Sequence, residues 1–174
     1  MPRFKDITPL TRSGPWECDF ELRGVLKFVE DQTAELGLDL DPDFQRGHVW
    51  TEGQQILWLQ HHLRGGKSGR VIYFNFPGWR SSYKGDFVIV DGKQRLEAIR
   101  AFLENEIPVF GSYYEEYTDS IMLRGMNTMR LNVNDLPNRA AVLQWYIEMN
   151  AGGTPHSDKE IARVLALYDE EVKK

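Results

Sequence analysis

Val88-Ile89-Val90-Asp91-Gly92-Lys93-Gln94-Arg95, continued by Leu96-Glu97-Ala98-Ile99-Arg100-Ala101-Phe102-Leu103, decides how the rest of the chain is read. The β-branched run predicts a buried strand, Asp91-Gly92 a tight turn, and the residues after it a helix reaching about Glu104. Within five positions the turn gathers a carboxylate, a glycine, an amide and two cations, and apolar segments enclose it on both sides. Chemistry is a natural reason to place so much polar function at the end of a buried strand.

Working upstream, Val71–Phe76 reads as another buried strand, separated by a loop over 77–84 from the strand Phe87–Val90. Thr51 with Gln54 forms a capping-box pattern, and Ile56, Leu57, Leu59 and Leu63 give that helix an apolar face, closed by Gly65-Gly66. Before it lies a polar-aromatic loop, Asp43-Phe44-Gln45-Arg46-Gly47-His48-Val49-Trp50, preceded by Leu38-Asp39-Leu40-Asp41, a short strand edge stopped at Pro42. Leu22, Val25, Leu26, Phe28 and Val29 fall at helical spacing, with Gly37 as the stop. Residues 1–19 read as an irregular arm and 20–174 as one domain.

Working downstream, Ile107–Phe110 reads as a short strand, and 121–133 as one or two strands around Arg124-Gly125. Arg139–Met149 is helical, with Pro137 near its start. Asn150-Ala151-Gly152-Gly153 opens a sharp loop, and Ser157 with Glu160 is a second capping box, starting a helix through about Tyr168. The mixed order of elements gives an α+β fold: a small mixed sheet with surrounding helices.

At 174 residues the chain is long enough for a real hydrophobic core. No apolar run has the length of a membrane span, and Met1-Pro2-Arg3-Phe4 lacks the apolar core of a signal peptide. A lone cysteine, Cys18, rules out an intrachain disulfide and points to a reducing compartment. The net charge of −5 argues against non-specific coating of DNA but leaves room for a local basic cleft.

Three constellations carry chemistry. At the Asp91 turn, the free N–H groups and dipole of the following helix attract anions, phosphate above all. Lys93 and Arg95 add positive charge there, and Asp91 can hold a divalent metal or orient a nucleophile. The plain alternative is a turn and helix cap with a solvated Arg95. The second is Gln45-Arg46 beside His48 and Trp50: either a further phosphate contact, or an aromatic-anchored loop with a structural ion pair. The third is Asn150 before Gly152-Gly153, either a helix C-cap or an amide brought to a ligand.

Other motifs fall away. Gly66-Lys67-Ser68 is no P-loop, because the glycine five positions ahead is absent (His61) and the segment follows a helix and precedes a strand. His61-His62 has no metal-ligand companion motif, and no GxSxG elbow occurs.

In family order, Phe44-Gln45-Arg46…Val49-Trp50, Asp91-Gly92-Lys93-Gln94-Arg95 and Asn150…Gly153 followed by Ser157-Asp158-Lys159-Glu160 resemble the N-terminal domain of GmrSD-type modification-dependent restriction systems. That domain is placed in the ParB/sulfiredoxin-like superfamily, and its hallmark is Asp-Gly-Gln-Gln-Arg. The resemblance covers residues 38–165. It implies an α+β domain that binds a nucleoside triphosphate, ATP or GTP, with Mg2+. By carry-over, Asp91, Gly92, Lys93, Gln94 and Arg95 line the phosphate site, Gln45 and Arg46 close it, and Asn150 completes it. Asp91, Arg95 and Arg46 are then the catalytic candidates, with Asp91 toward Mg2+.

The chain departs from the family pattern at Lys93, where the motif's first Gln stands, and at Gly65–Arg70, where an Ile-Pro-rich strand is usual. The 174 residues leave no room for the nuclease half of those systems, so a complete restriction enzyme is not expected. Sulfiredoxin chemistry needs a cysteine in the phosphate motif, and none is there.

The leading expectation is an NTPase, or a kinase acting on a hydroxyl of a small substrate or modified DNA base, linked to phage or bacterial DNA modification or defence. The alternative is a non-catalytic nucleotide- or DNA-sensing module that switches a partner. A nuclease is the third possibility, disfavoured by the lack of a metal-carboxylate or HNH-type pattern. The expected partners are the nucleotide and either duplex DNA or a protein effector, with no membrane; the expected compartment is the cytoplasm of a bacterial or phage-infected cell.

Overall fold

A computed structural model describes residues 2–7, 16–45, 50–119, 127–151 and 158–173. Among them are four strands, β1 (Trp16–Phe20), β2 (Val71–Asn75), β3 (Val88–Asp91) and β4 (Met129–Asn134). Five α-helices accompany them: α1 (Leu22–Leu36), α2 (Glu52–Leu63), α3 (Lys93–Leu103), α4 (Arg139–Ala151) and α5 (Asp158–Val172). The strands form one mixed sheet in the order β1-β4-β2-β3. β1 runs antiparallel to β4, β4 parallel to β2, and β2 antiparallel to β3 with an irregularity between Tyr73 and Phe74. The α+β class with a small mixed sheet is therefore as expected.

Ile89 and Val90 are both fully buried, on opposite faces of β3. That explains the unbroken apolar run: a strand covered on both sides needs no alternation. One core joins Leu22, Val25 and Val29 of α1, Leu59 of α2 and Leu96, Ile99 and Phe102 of α3 to Ile72, Phe74, Ile89 and Leu131 of the sheet. A second joins Val90 and Phe44 to Val142, Leu143, Trp145 and Tyr146 of α4 and Val164 of α5.

The helix boundaries follow their signals. Glu21 caps α1 by accepting from Gly24 N at 2.6 Å and Arg23 N at 2.8 Å, and Gly37 ends it in the left-handed conformation, φ 68°. Thr51 and Gln54 make both halves of the capping box that opens α2. α4 begins after Pro137, with Asn138 Oδ1 accepting from Ala141 N at 2.9 Å. The capping box at Ser157 lies outside the described residues.

Three expectations are corrected. The arm over 1–19 ends in a strand: Trp16–Phe20 pairs with β4, its alternating pattern turning Glu17 and Asp19 outward toward Asn132 and Arg130. Ile107–Phe110 is no strand. Val109 and Ser112 exchange backbone hydrogen bonds across a tight turn whose middle residues, Phe110 and Gly111, have φ 53° and 82°. Of the expected apolar face of α2, Leu59 is buried and Ile56 and Leu63 pack against the core, but Leu57 is 67% exposed, and Gln55 and His62 are buried in addition. Of the 121–133 region, the described part is β4 and the two residues before it.

Candidate functional site at the β3–α3 turn

Asp91 is the last residue of β3, opposite Tyr73 on β2. Gly92 follows with φ 108° and ψ 5° as the N-cap, without a side chain to cap the helix, and α3 starts at Lys93. Two constraints select glycine. The backbone lies in the left-handed half of the map, and a Cβ there would stand 3.0 Å from both Ile72 Cγ atoms and 3.1 Å from its Cα. The chain turns directly over β2, and α3 begins at the end of the strand.

Each polar side chain of the motif is bonded. Asp91 Oδ2 accepts from Arg95 Nη2 at 2.5 Å, and the same Nη2 donates to Val71 O at 3.0 Å. The guanidinium thus ties α3 to the start of β2, with its Nε buried and without a hydrogen-bond partner. Lys93 forms an ion pair with Asp41. The lysine side chain is only 13% exposed and the aspartate 78%. Gln94 Oε1 accepts from Trp50 N at 2.9 Å. From the facing loop, Gln45 Nε2 donates to Val90 O at 2.5 Å and reaches Ile89 O at 3.3 Å. The loop from Asp39 to Gln45 is therefore sewn to the strand-turn-helix at several points, including main-chain bonds from Asp39 N to Phe87 O and from Ile89 N to Asp39 O.

The structure brings Gln45, Asp91, Gly92, Lys93, Gln94 and Arg95 together. Arg46 and His48 lie outside the described residues. Asn150 lies in α4, and its Nδ2 donates to Tyr146 O one turn back at 2.7 Å; this hydrogen bond directs its amide to its own helix. Gly152 and Gly153 are outside the described residues. Among the described residues no group of three or more His, Cys, Asp and Glu side chains is placed to hold a metal ion. Asp91, with 41% of its side chain exposed, is a single carboxylate. That suits Mg2+ shared with phosphate oxygens and water rather than a closed protein cage.

Sequence reasoning missed several neighbours. Asp41 is the counter-ion of Lys93. Tyr73 stands beside Asp91, its ring edge-on to Trp145 at 5.8 Å. Burial pushes the Tyr73 phenol above its usual range, reinforced by the Asp91 and Glu17 carboxylates and opposed by Arg95. Arg139 Nη2 donates to both Asp43 oxygens at 2.6 and 2.8 Å. The alternation of Leu38-Asp39-Leu40-Asp41 was the one available signal, since it turns Asp39 and Asp41 to the same side.

Two adjoining cavities, of about 340 and 470 Å³, share Gly85, Asp86, Val88 and Arg139. They lie at the start of β3, and neither is lined by any residue of the Asp91–Arg95 turn.

The family model for the GmrSD restriction endonuclease, N-terminal domain, matches residues 25–167. No curated protein and no solved structure matches the chain. No helix among the described residues is long and apolar enough to cross a membrane. With most of its length covered, from α1 into α5, the chain belongs to the GmrSD N-terminal domain family.

Proposed function

We propose that this GmrSD-family domain binds a nucleoside triphosphate with Mg2+ at the β3–α3 turn and moves its terminal phosphoryl group, to water or to a hydroxyl. Membership in a family of restriction-endonuclease N-terminal domains supports a role in restriction linked to phage or DNA modification. The observation that supports the nucleotide reading is the start of α3 directly after a left-handed Gly92, with Lys93, Arg95 and Asp91 beside it. A helix N-terminus favours negative charge.

The ion pairs at the turn are compatible with this use. Asp41 is mostly in water, whereas the Lys93 side chain is largely buried. A polyanion that takes the place of Asp41 keeps the Lys93 ammonium paired. Lys93 and Arg95 then offset charge on the phosphate oxygens. Asp91 either holds the cation or takes the proton of the incoming oxygen nucleophile, and Gln45 keeps the end of β3 in place. The bound Mg2+–nucleotide supplies the electrophilic phosphorus. Arg46, which lies outside the described residues, is a further phosphate-binding candidate by family resemblance.

One observation favours a second reading, a sensing module without turnover. Asp91, Lys93, Gln94 and Arg95 all have protein partners. A site built to hold ligand and rearrange its own ties suits a switch as well as an enzyme.

Incubating the protein with γ-labelled ATP or GTP and Mg2+, with and without duplex DNA, separates these readings. Free phosphate identifies hydrolysis, label on DNA a kinase, and nucleotide binding without turnover a sensor. Cleaved DNA identifies a nuclease. Asp91→Ala and Arg95→Ala should each reduce turnover on the order of 100-fold. Variants that keep full nucleotide binding and turnover place the site elsewhere.

A further inference from the structure

Arg163, on the second turn of α5, donates to three consecutive main-chain carbonyls of the loop that faces the turn. Nη1 bonds Asp43 O at 2.5 Å, and Nη2 bonds Phe44 O at 3.1 Å and Gln45 O at 3.0 Å. The loop carries no regular hydrogen-bond ladder of its own here. Its other ties include Gln45 N to Pro42 O at 2.8 Å, Asp43 to Arg139, and the Phe44 ring edge-on to Tyr146 at 5.3 Å. A planar guanidinium presents its donors in a rigid fork that spans three successive carbonyls, whereas an ammonium offers its three from a single point.

Two residues of this loop touch the phosphate turn. Gln45 bonds the carbonyls at the end of β3, and Asp41 pairs with Lys93. We propose that Arg163 is a positioning residue for the β3–α3 site, acting through the loop to set Gln45 against Val90 and Asp41 against Lys93. The proposal deepens the nucleotide reading and rests on it for its functional consequence.

Arg163 is not needed to dock its helix. The neighbouring Val164 is 1% exposed in the α4–α5 core, where Leu167 and Tyr168 also pack, whereas Arg163 is exposed. Removing the guanidinium therefore leaves the packing of α5 in place and frees the carbonyls of 43–45. The consequence should appear at Gln45 and Lys93, far from position 163 in sequence, rather than in the fold as a whole. It also makes α5 a route by which anything pulling on that helix alters the site.

The test compares the full chain with its Arg163→Met and Arg163→Lys variants. Calorimetry reads binding of ATP with Mg2+, and amide NMR of the free proteins reads the Gln45 side-chain NH2 and the backbone N–H groups of 91–95. Arg163→Met should weaken ATP binding by about tenfold and move the Gln45 and Lys93 resonances, with Arg163→Lys in between. Unchanged binding together with unchanged Gln45 and Lys93 resonances overturns the proposal. If the unaltered protein binds neither ATP nor GTP, the nucleotide reading fails. The positioning role is then decided by NMR alone: displaced Gln45 and Lys93 resonances uphold it, and unmoved ones overturn it. Should Arg163→Met not fold, Arg163→Lys and Arg163→Gln carry the same comparison.

Discussion

Replacing Gly92 with alanine tests the geometry on which the site depends. Two costs arise. A β-carbon at φ 108° meets the penalty of left-handed backbone, about 1–2 kcal/mol. It also stands 3.0 Å from the Ile72 Cγ atoms and 3.1 Å from Ile72 Cα. Ile72 is fully buried in a central strand, so neither its side chain nor its backbone can step aside; overpacking of this kind costs about 1–3 kcal/mol. Together the loss is about 2–5 kcal/mol, a large part of the roughly 5–15 kcal/mol that holds a domain folded. Gly37→Ala is the control, because Gly37 has φ 68° with nothing within 4 Å of an added Cβ. It should incur only the backbone cost. In urea titrations Gly92→Ala should lower the midpoint well beyond Gly37→Ala, with the slope preserved, and lower Tm by roughly 5–15 °C. If the two variants are equally stable, the close approach of the turn to β2 is wrong, and with it the account of why glycine is needed there.

The remaining expectations concern stability. Asn75 is fully buried and bonds Leu136 twice, Nδ2 to its O at 3.2 Å and Oδ1 from its N at 2.8 Å. Asn75→Ala strands both main-chain groups and should cost about 2–5 kcal/mol by chemical denaturation; a loss under about 0.5 kcal/mol contradicts the pairing. Burial holds the His62 imidazole below its ordinary range, with Arg70 and His61 acting the same way and the Asn127 backbone opposing. The unfolded chain then takes up a proton below about pH 6.5 that the folded protein refuses. Stability should fall as pH drops from that point toward the depressed folded value, by at most about 1.4 kcal/mol per pH unit. His62→Phe, which keeps the stack on Trp58, should flatten the Tm profile between about pH 7 and 5; identical slopes would falsify the assignment.

Much of the architecture was legible residue by residue. The run Val88–Val90, the caps at Gly37 and Thr51, and Pro137 ahead of α4 are local signals, and each element formed where its signal stood. β1 was equally local in its alternation, but Pro2, Pro9, Gly14 and Pro15 drew attention to irregular backbone instead. Ile107–Phe110 misled because a short β-branched stretch fits a strand or a tight turn, and only the backbone at Phe110 and Gly111 distinguishes them. On α2 only Leu57 misled: Leu59 is buried and Ile56 and Leu63 pack against the core, with Gln55 and His62 buried alongside.

The site divides in the same way. That Asp91-Gly92 ends a strand and begins a helix, and that glycine, cation and carboxylate crowd there, follows from neighbours in the chain, whose distances are set by covalent geometry. The pairing of Lys93 with Asp41, Gln94 with the Trp50 amide, Gln45 with the Val90 carbonyl, and Arg163 with three carbonyls 118–120 residues away has no such origin. Long polar side chains have many partners within reach and little preference among them. Which one they take is decided only when the sheet order β1-β4-β2-β3 and the two buried cores have brought the loop, the turn and α5 to one place.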